Sequence, residues 1–484
     1  MRESPEALTM SAPFLRIIDI ELFERDVRLR MPFRFGIVTL TAAPQAFVRA
    51  RIRLADGREG FGASAELLAP KWFDKNPALS NDDNFEQLRV ALRLAAQAYR
   101  SGNANTAFGH FEAHHLAHIE RAASVGLNAL TANFGPALID RAVLDALCRI
   151  AGVSFYDAMR GNLGGLRASA LAPDLGGFDL PGLLGRLSPA TSIEARHTVG
   201  LVDLITDRDR PADQAAVGDG LPETLQQVVE CYGHRWYKLK VGGSLLDDLE
   251  RLAAIASVLD RSPDPYRASL DGNEQYDDVD SITALWRALQ SDRRLSRLAA
   301  SIAFIEQPIK RANALSRNID LLAQHKPVII DESDDTLDTF VRARDLGYTG
   351  VSSKTCKGIW RSIINRARCE HWNDLAGSPG RFFMSAEDLT IQAGLALQQD
   401  LALVNLLGIE HVERNGHHYV NGMADLSSDE QNRFLAAHPD LYERSHGATR
   451  LAIARGRIAI GSLACNGFAS GALPDWDRMR TISQ

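Results

Sequence analysis

From about residue 168 the chain alternates short β-rich runs with helical segments, and no other feature narrows its fold as much. HRWYKLKV is followed by LLDDLERLAAIASVL, YRASLD by DSITALWRALQ, and SIAFIEQP by ALSRNIDLLAQH. KPVIIDES, DTFVRARDLG, YTGVSSK and IWRSIINRARCEHW keep the same beat, and RFFMSAED, LTIQAGLALQQDLALVNLLG and IEHVER extend it. One βα unit recurs roughly every 25 to 35 residues, about eight times if ASALAP supplies the first strand, as a (β/α)8 TIM barrel requires. The Asp-, Pro- and Gly-rich stretch near 178–220 breaks the beat and reads as an insertion between that first strand and its helix.

The barrel does not account for the whole chain, whose 484 residues exceed what one core keeps growing to hold. FLRIIDIELFERDVRLR, QAFVRARIRLADG and REGFGASAE alternate like strands, with ADG as a turn, and three segments of helical periodicity follow. The expected organisation is therefore α/β: an N-terminal α+β domain over 1–160, its first dozen or so residues a loose polar leader, then the barrel over 161–415. Residues 416–484 end in RLAIARGRIAIGSL, which reads as a strand pair packing back on the N-terminal sheet.

Bulk chemistry excludes several function classes. Lys plus Arg number 54 against 61 Asp plus Glu, a net charge of −7, which argues against a nucleic-acid or anionic-membrane surface. Five scattered cysteines without CxxC spacing fit reduced thiols in a cytoplasm. No apolar run is long enough to span a bilayer.

In such a barrel the chemistry gathers at the C-terminal ends of the strands. The second strand ends on Lys238 and Lys240, the third on Asp271 with Asn273 two residues on, the fourth on Glu306, and the fifth on Asp331 and Glu332. The sixth ends on Lys354, the seventh offers Glu387 and Asp388, and the eighth ends on Glu413. Three converging carboxylates repel one another unless protonated or bound to a cation, and oxygen-only ligands favour Mg²⁺. Lysines on the second and sixth strands face one another across whatever binds there. A metal, a second lysine and desolvation all depress a lysine's pKa, which makes it a general base for removing the proton α to a carboxylate.

These residues resemble the enolase superfamily, in its mandelate racemase and muconate lactonizing enzyme branch. The family's KxK is similar to Lys238-Leu-Lys240, its DxN to Asp271-Gly-Asn273, its EQP to Glu306-Gln-Pro308 and its DES to Asp331-Glu-Ser333. The resemblance implies a capping domain over a modified barrel, with MPFRFG (31–36) and GREGFGASAE (57–66) as the loops that close over substrate. It implies one divalent cation, Mg²⁺ with Mn²⁺ as a substitute, on Asp271, Glu306 and Asp331, and Lys240 as the acid/base. Lysine on the sixth strand and no histidine on the seventh match the muconate lactonizing pattern, with a base on each face of the substrate. Lys354 is preferred to Lys357 by register, and Lys238 is a helper that stabilises the substrate carboxylate or tunes its neighbour. Asn273, Glu332, Glu387, Asp388 and Glu413 are expected to orient substrate or ligands.

The expected activity is Mg²⁺-dependent abstraction of an α-proton through a stabilised enediolate, on a small carboxylate substrate and in a homo-oligomer. It ends in racemisation or epimerisation, cycloisomerisation, or dehydration, and so the enzyme is an isomerase or a lyase. The alternative is a non-catalytic, metal-binding scaffold of the same fold. His110, His114, His115 and His118 lie at helical spacing but lack the order of a metalloprotease helix, and read as a solvated helix face. His417 and His418 follow the eighth strand closely enough to reach the pocket mouth, and Cys356 reads as a passenger thiol.

Overall fold

The computed structural model describes residues 11–35 and 38–483. Alternating apolar and charged residues make Leu15–Phe35 (β1) and Val38–Leu54 (β2) a long antiparallel hairpin. Glu59–Leu67 (β3) joins β2 through a turn closed by the Gly57 N–H on the Leu54 carbonyl. Helices Asn81–Ser101 (α1), Ala107–Ser124 (α2) and Ala129–Ala151 (α3) follow, each opened by a capping side chain, from Ser80, Thr106 and Asn128. Helix α3 lies so close on β3 that a Cβ on Gly62 would collide with the Ala142 carbonyl.

The histidines of α2 do not form a solvated face. His110, His115 and His118 are buried, with His110 Nε2 at 3.0 Å from the Leu15 carbonyl and His118 Nε2 at 2.8 Å from that of Ala132. His110 and His118 belong to the packing of α2 on β1 and α3, where a polar ring tip meets a backbone group, and His115 packs on Phe111.

Eight parallel strands then close a barrel: Ser192–Val199 (β4), Trp236–Lys240 (β5), Arg267–Asp271 (β6), Ile302–Glu306 (β7), Val328–Ile330 (β8), Gly350–Ser353 (β9), Phe383–Ala386 (β10) and His411–Glu413 (β11). They neighbour one another in chain order, and β11 pairs back onto β4. The first strand is thus Ser192–Val199 and not ASALAP, which forms turns leading into a short 3₁₀ segment at Pro173–Leu175. The stretch expected to be an insertion carries this strand, so the segment outside the βα beat shrinks to the loop between Val199 and the helix Leu225–Tyr232.

The C-terminal segment divides its pairing. Tyr442–Ser445 (β12) and Ala448–Leu451 (β13) form a hairpin, and Arg457–Ala459 (β14) adds antiparallel to β4 of the barrel. Among the described C-terminal strands, Arg480–Thr481 (β15) is the one that pairs with the N-terminal sheet, opposite Glu24 and Phe23 of β1. RLAIARGRIAIGSL therefore does not pair on that sheet. Among the described residues no helix is long and apolar enough to cross a membrane.

Candidate active site

The alternation of β5 sends Trp236, Lys238 and Lys240 inward together. The Lys238 ammonium lies 2.8 Å from Asp271 Oδ2, 3.0 Å from Glu306 Oε1, 2.6 Å from Glu387 Oε2 and 3.1 Å from Glu413 Oε2. Lys240 Nζ is 2.5 Å from the same Asp271 oxygen. Across the barrel Lys354 follows β9, four strands from β5, with Nζ 3.1 Å from Asp331 Oδ2 and 5.1 Å from the Trp72 ring centre. All these groups are buried, so the site is a compact block of paired charge.

Burial disfavours every charge in the block, and the partners decide which groups keep theirs. Burial raises Glu306 well above the usual carboxylate range, and its like-charged neighbours Asp271 and Glu387 push it further. Asp271 is lowered, because Lys238 and Lys240 outweigh its desolvation, and Asp331 is lowered by Lys354 and Lys357 in the same way. Burial works against the Lys354 ammonium too, but Asp331 wins and holds this lysine above its ordinary range.

Among the described residues no three His, Cys, Asp or Glu side chains gather as metal ligands, because Lys238 stands between Asp271 and Glu306. The donor set nevertheless suits a hard cation: it is all oxygen, and Glu306 Oε2 is buried with no hydrogen-bond partner. Asp331 is held on its other side by Lys357, 3.0 Å from Oδ1, and by the Ser352 hydroxyl. Gln307 accepts from the Asp331 and Ser333 N–H groups, which fixes the end of β8 against that of β7.

Other predicted residues take distinct places. Asn273 donates from Nδ2 to Glu332 Oε1 at 3.1 Å, and its own N–H reaches Asp271 Oδ1 at 2.8 Å. Glu387 pairs with Lys238 and, at 2.5 Å, with Arg196, so it serves as counter-charge. Asp388 clasps two loops by accepting from the Ile391 and Gly416 N–H groups, at 2.5 and 3.0 Å; burial pushes its carboxyl up to about 7. Glu413 receives the Thr198 hydroxyl and the Lys238 ammonium. Neither His417 nor His418 lines the cavity; they pack with Tyr232 and with His197, respectively.

Arg196 and Thr198 were missed as site residues, because β4 was misplaced. The alternation in SIEARHTV, with Glu194, Arg196 and Thr198 on one face, was the available signal. Lys75 was also missed: from the cap it reaches Glu274 at 2.5 Å and the Asn273 carbonyl at 3.0 Å. No periodicity marks such a contact.

The charged block opens on a cavity of about 30 Å³, lined by Lys238, Lys240, Asp331, Lys354, Glu413 and Asn415 on the barrel side. Room for roughly one water means that this is a closed state. The cap contributes Phe33 and Leu40 from the β1–β2 hairpin, and Ala69 and Trp72 just past β3. Of the two expected closing loops, MPFRFG supplies Phe33, while its Gly36 lies outside the described residues. The second wall comes not from GREGFGASAE but from the residues immediately after it. Arg30 fastens the hairpin to the barrel, donating to Asp219 at 2.5 and 2.8 Å and to the His418 carbonyl at 3.1 Å.

A closed eight-stranded barrel under an α+β cap, with lysines on opposite walls and carboxylates on the strands between, is the two-domain fold of the enolase superfamily. Residues 220–425 match the family described as enolase C-terminal domain-like. The structure is similar to muconate lactonizing enzyme from Pseudomonas fluorescens complexed with muconolactone (19% identity, 97% of this chain and 98% of that one, TM-score 0.57). It is also similar to 2-chloromuconate cycloisomerase from Rhodococcus opacus 1CP (16%, 96% and 98%, 0.56). An enolase superfamily member from Roseovarius nubinhibens ISM, complexed with magnesium, matches as well (17%, 97% and 99%, 0.52). No curated protein matches the sequence.

Proposed function

We propose that this protein is an enzyme that removes the proton α to the carboxylate of a small carboxylic acid, with Lys240 and Lys354 as bases on opposite faces. One observation carries the reading: both ammonium groups line the same cavity, from strands four apart in an eight-stranded ring, with Asp271, Glu306 and Asp331 on the strands between. Asp271, Glu306 and Asp331 would hold Mg²⁺, which supplies a Lewis acid against the charge that develops on the substrate carboxylate. The magnesium complex of the Roseovarius nubinhibens structure supports that choice of ion.

The chain's own residues do the rest. Lys238 presents a cation to substrate oxygens and balances Glu387 and Glu413 beneath. One terminal lysine accepts the α-proton, and the other delivers a proton to the far face or to a leaving group. Two opposed lysines favour racemisation, epimerisation or cycloisomerisation over dehydration, and two similar structures are of muconate-lactonizing or cycloisomerising enzymes. Trp72 and the cap hairpin exclude water from the lysines.

The test is deuterium exchange in D₂O with Mg²⁺ across amino, sugar, aromatic and dipeptide acids. Incorporation at Cα is expected, and Lys240→Ala or Lys354→Ala should lower it by about 10²-fold or more. Exchange that survives both substitutions defeats the assignment, and none across the panel favours a scaffold.

A further inference from the structure

The wall facing the charged strand ends is largely apolar, with Thr390 of the loop after β10 its polar exception. Phe33, Leu40, Ala69 and Trp72 from the cap and Leu389 from the loop after β10 are all apolar and buried. Among the described residues the lysines lining the cavity are Lys238, Lys240 and Lys354, and each already faces a carboxylate. A second carboxylate on the far end of a substrate would lose its water there and find no free cation, and a row of hydroxyls would find few partners besides Thr390 and Asn415.

Asn415 stands out against that wall. It lies two residues past β11, is 3% exposed, and its Oδ1 is buried with no hydrogen-bond partner. Its frame is rigid: the Asn415 carbonyl accepts from the His418 and Tyr419 N–H groups at 2.9 and 3.2 Å, and Asp388 holds the next N–H. A buried amide oxygen left unanswered is unfavourable, and a group on a bound molecule is what would answer it.

We propose that the site takes a monocarboxylic acid whose far end is apolar and carries one neutral hydrogen-bond donor, a hydroxyl or an N–H, read by Asn415. This rests on the proton-abstraction reading above. Asn415 is a specificity residue in this scheme, and the lysines carry the chemistry.

The test compares α-deuteration of phenylacetate, its 2-, 3- and 4-hydroxy derivatives, glutarate and D-gluconate, in D₂O with Mg²⁺, by the wild type, Asn415→Leu and Asn415→Ser. One hydroxyphenylacetate is expected to exchange fastest. Asn415→Leu should shrink its advantage over phenylacetate by about tenfold to a hundredfold. Asn415→Ser, which keeps a hydroxyl, should hold the ratio nearer the wild type's. An unchanged ratio in both variants, or fastest exchange for glutarate or gluconate, overturns the inference and leaves proton abstraction standing. No exchange from any of these acids also overturns it, and the broader panel then judges proton abstraction separately.

Discussion

Lys238 answers carboxylates from Asp271, Glu306, Glu387 and Glu413 at once, so among the described residues no other single side chain balances as much buried negative charge. Lys238→Met keeps the apolar stem and deletes the ammonium. Its expected effect is a loss of about 3–5 kcal/mol, measured as a lower urea midpoint. Mg²⁺ should restore more stability to the variant than to the wild type, because a dication and an ammonium answer the same oxygens. A midpoint equal to the wild type's would mean that these carboxylates are protonated or hydrated instead. At this scale the sequence was informative wherever a strand ended abruptly in charge: Lys240, Asp271, Glu306, Asp331 and Lys354 all close apolar runs. In KTCK the register alone already set Lys354 apart from Lys357. Lys354 lines the cavity, while Lys357 donates to the Asp331 and Ser352 carbonyls at 2.8 and 3.0 Å and braces Asp331 from behind.

Among the elements, the loops after β10 and β11 and the helix α2 make the sharpest predictions. Gly416 packs so tightly on the Ile391 carbonyl that Gly416→Ala must push the two loops apart. A loss of about 1–3 kcal/mol in urea unfolding is expected, because the clasp from Asp388 to the Gly416 N–H opens with it. In α2, burial lowers His115 from 6.5 to about 3, with Arg361 and His118 adding to the shift. Between those values the unfolded chain binds the proton and the folded one does not, so this residue makes stability fall as pH drops below about 6.5. From pH 6.5 to 5 the wild type should lose about 2 kcal/mol more than His115→Phe, by urea unfolding at each pH. Parallel slopes would place a charged His115 in the fold. Element β4 shows where legibility ended. Barrel strands β5 to β11 stand out because apolar runs precede their charges, whereas β4 carries Glu194, Arg196 and Thr198 on its inward face. Those groups are satisfied by partners far away in the chain: Glu194 by Arg457, Arg196 by Ser385, Ala386 and Glu387, and Thr198 by Glu413.

Over the whole molecule, long-range polar fastenings join the cap and barrel around a nearly sealed cavity. Arg30 to Asp219 is one, and its hydrogen bonds hold the Asp219 carboxyl below the usual range. Asp219→Asn should loosen the hairpin, seen as faster amide exchange at Arg28–Arg34 with an unchanged rate in the barrel strands. Equal exchange in both proteins would show that packing of Phe33 on Tyr419, 4.4 Å between ring centres, suffices to hold it. The same long hairpin has another side. Strand β1 runs for 21 residues; beside its pairing with β2, Asn105 bridges Leu15, Ile482 donates to the Leu22 carbonyl, and Arg480 and Thr481 lie opposite Glu24 and Phe23. Arg480 also ties down Asp26, at 2.7 and 2.9 Å. Removing those last residues would bare a ribbon of backbone donors and acceptors to any neighbouring copy. The tail thus bears on whether the protein stays dispersed at high concentration, a matter of colloidal behaviour quite apart from the chemistry at the other end of the cap.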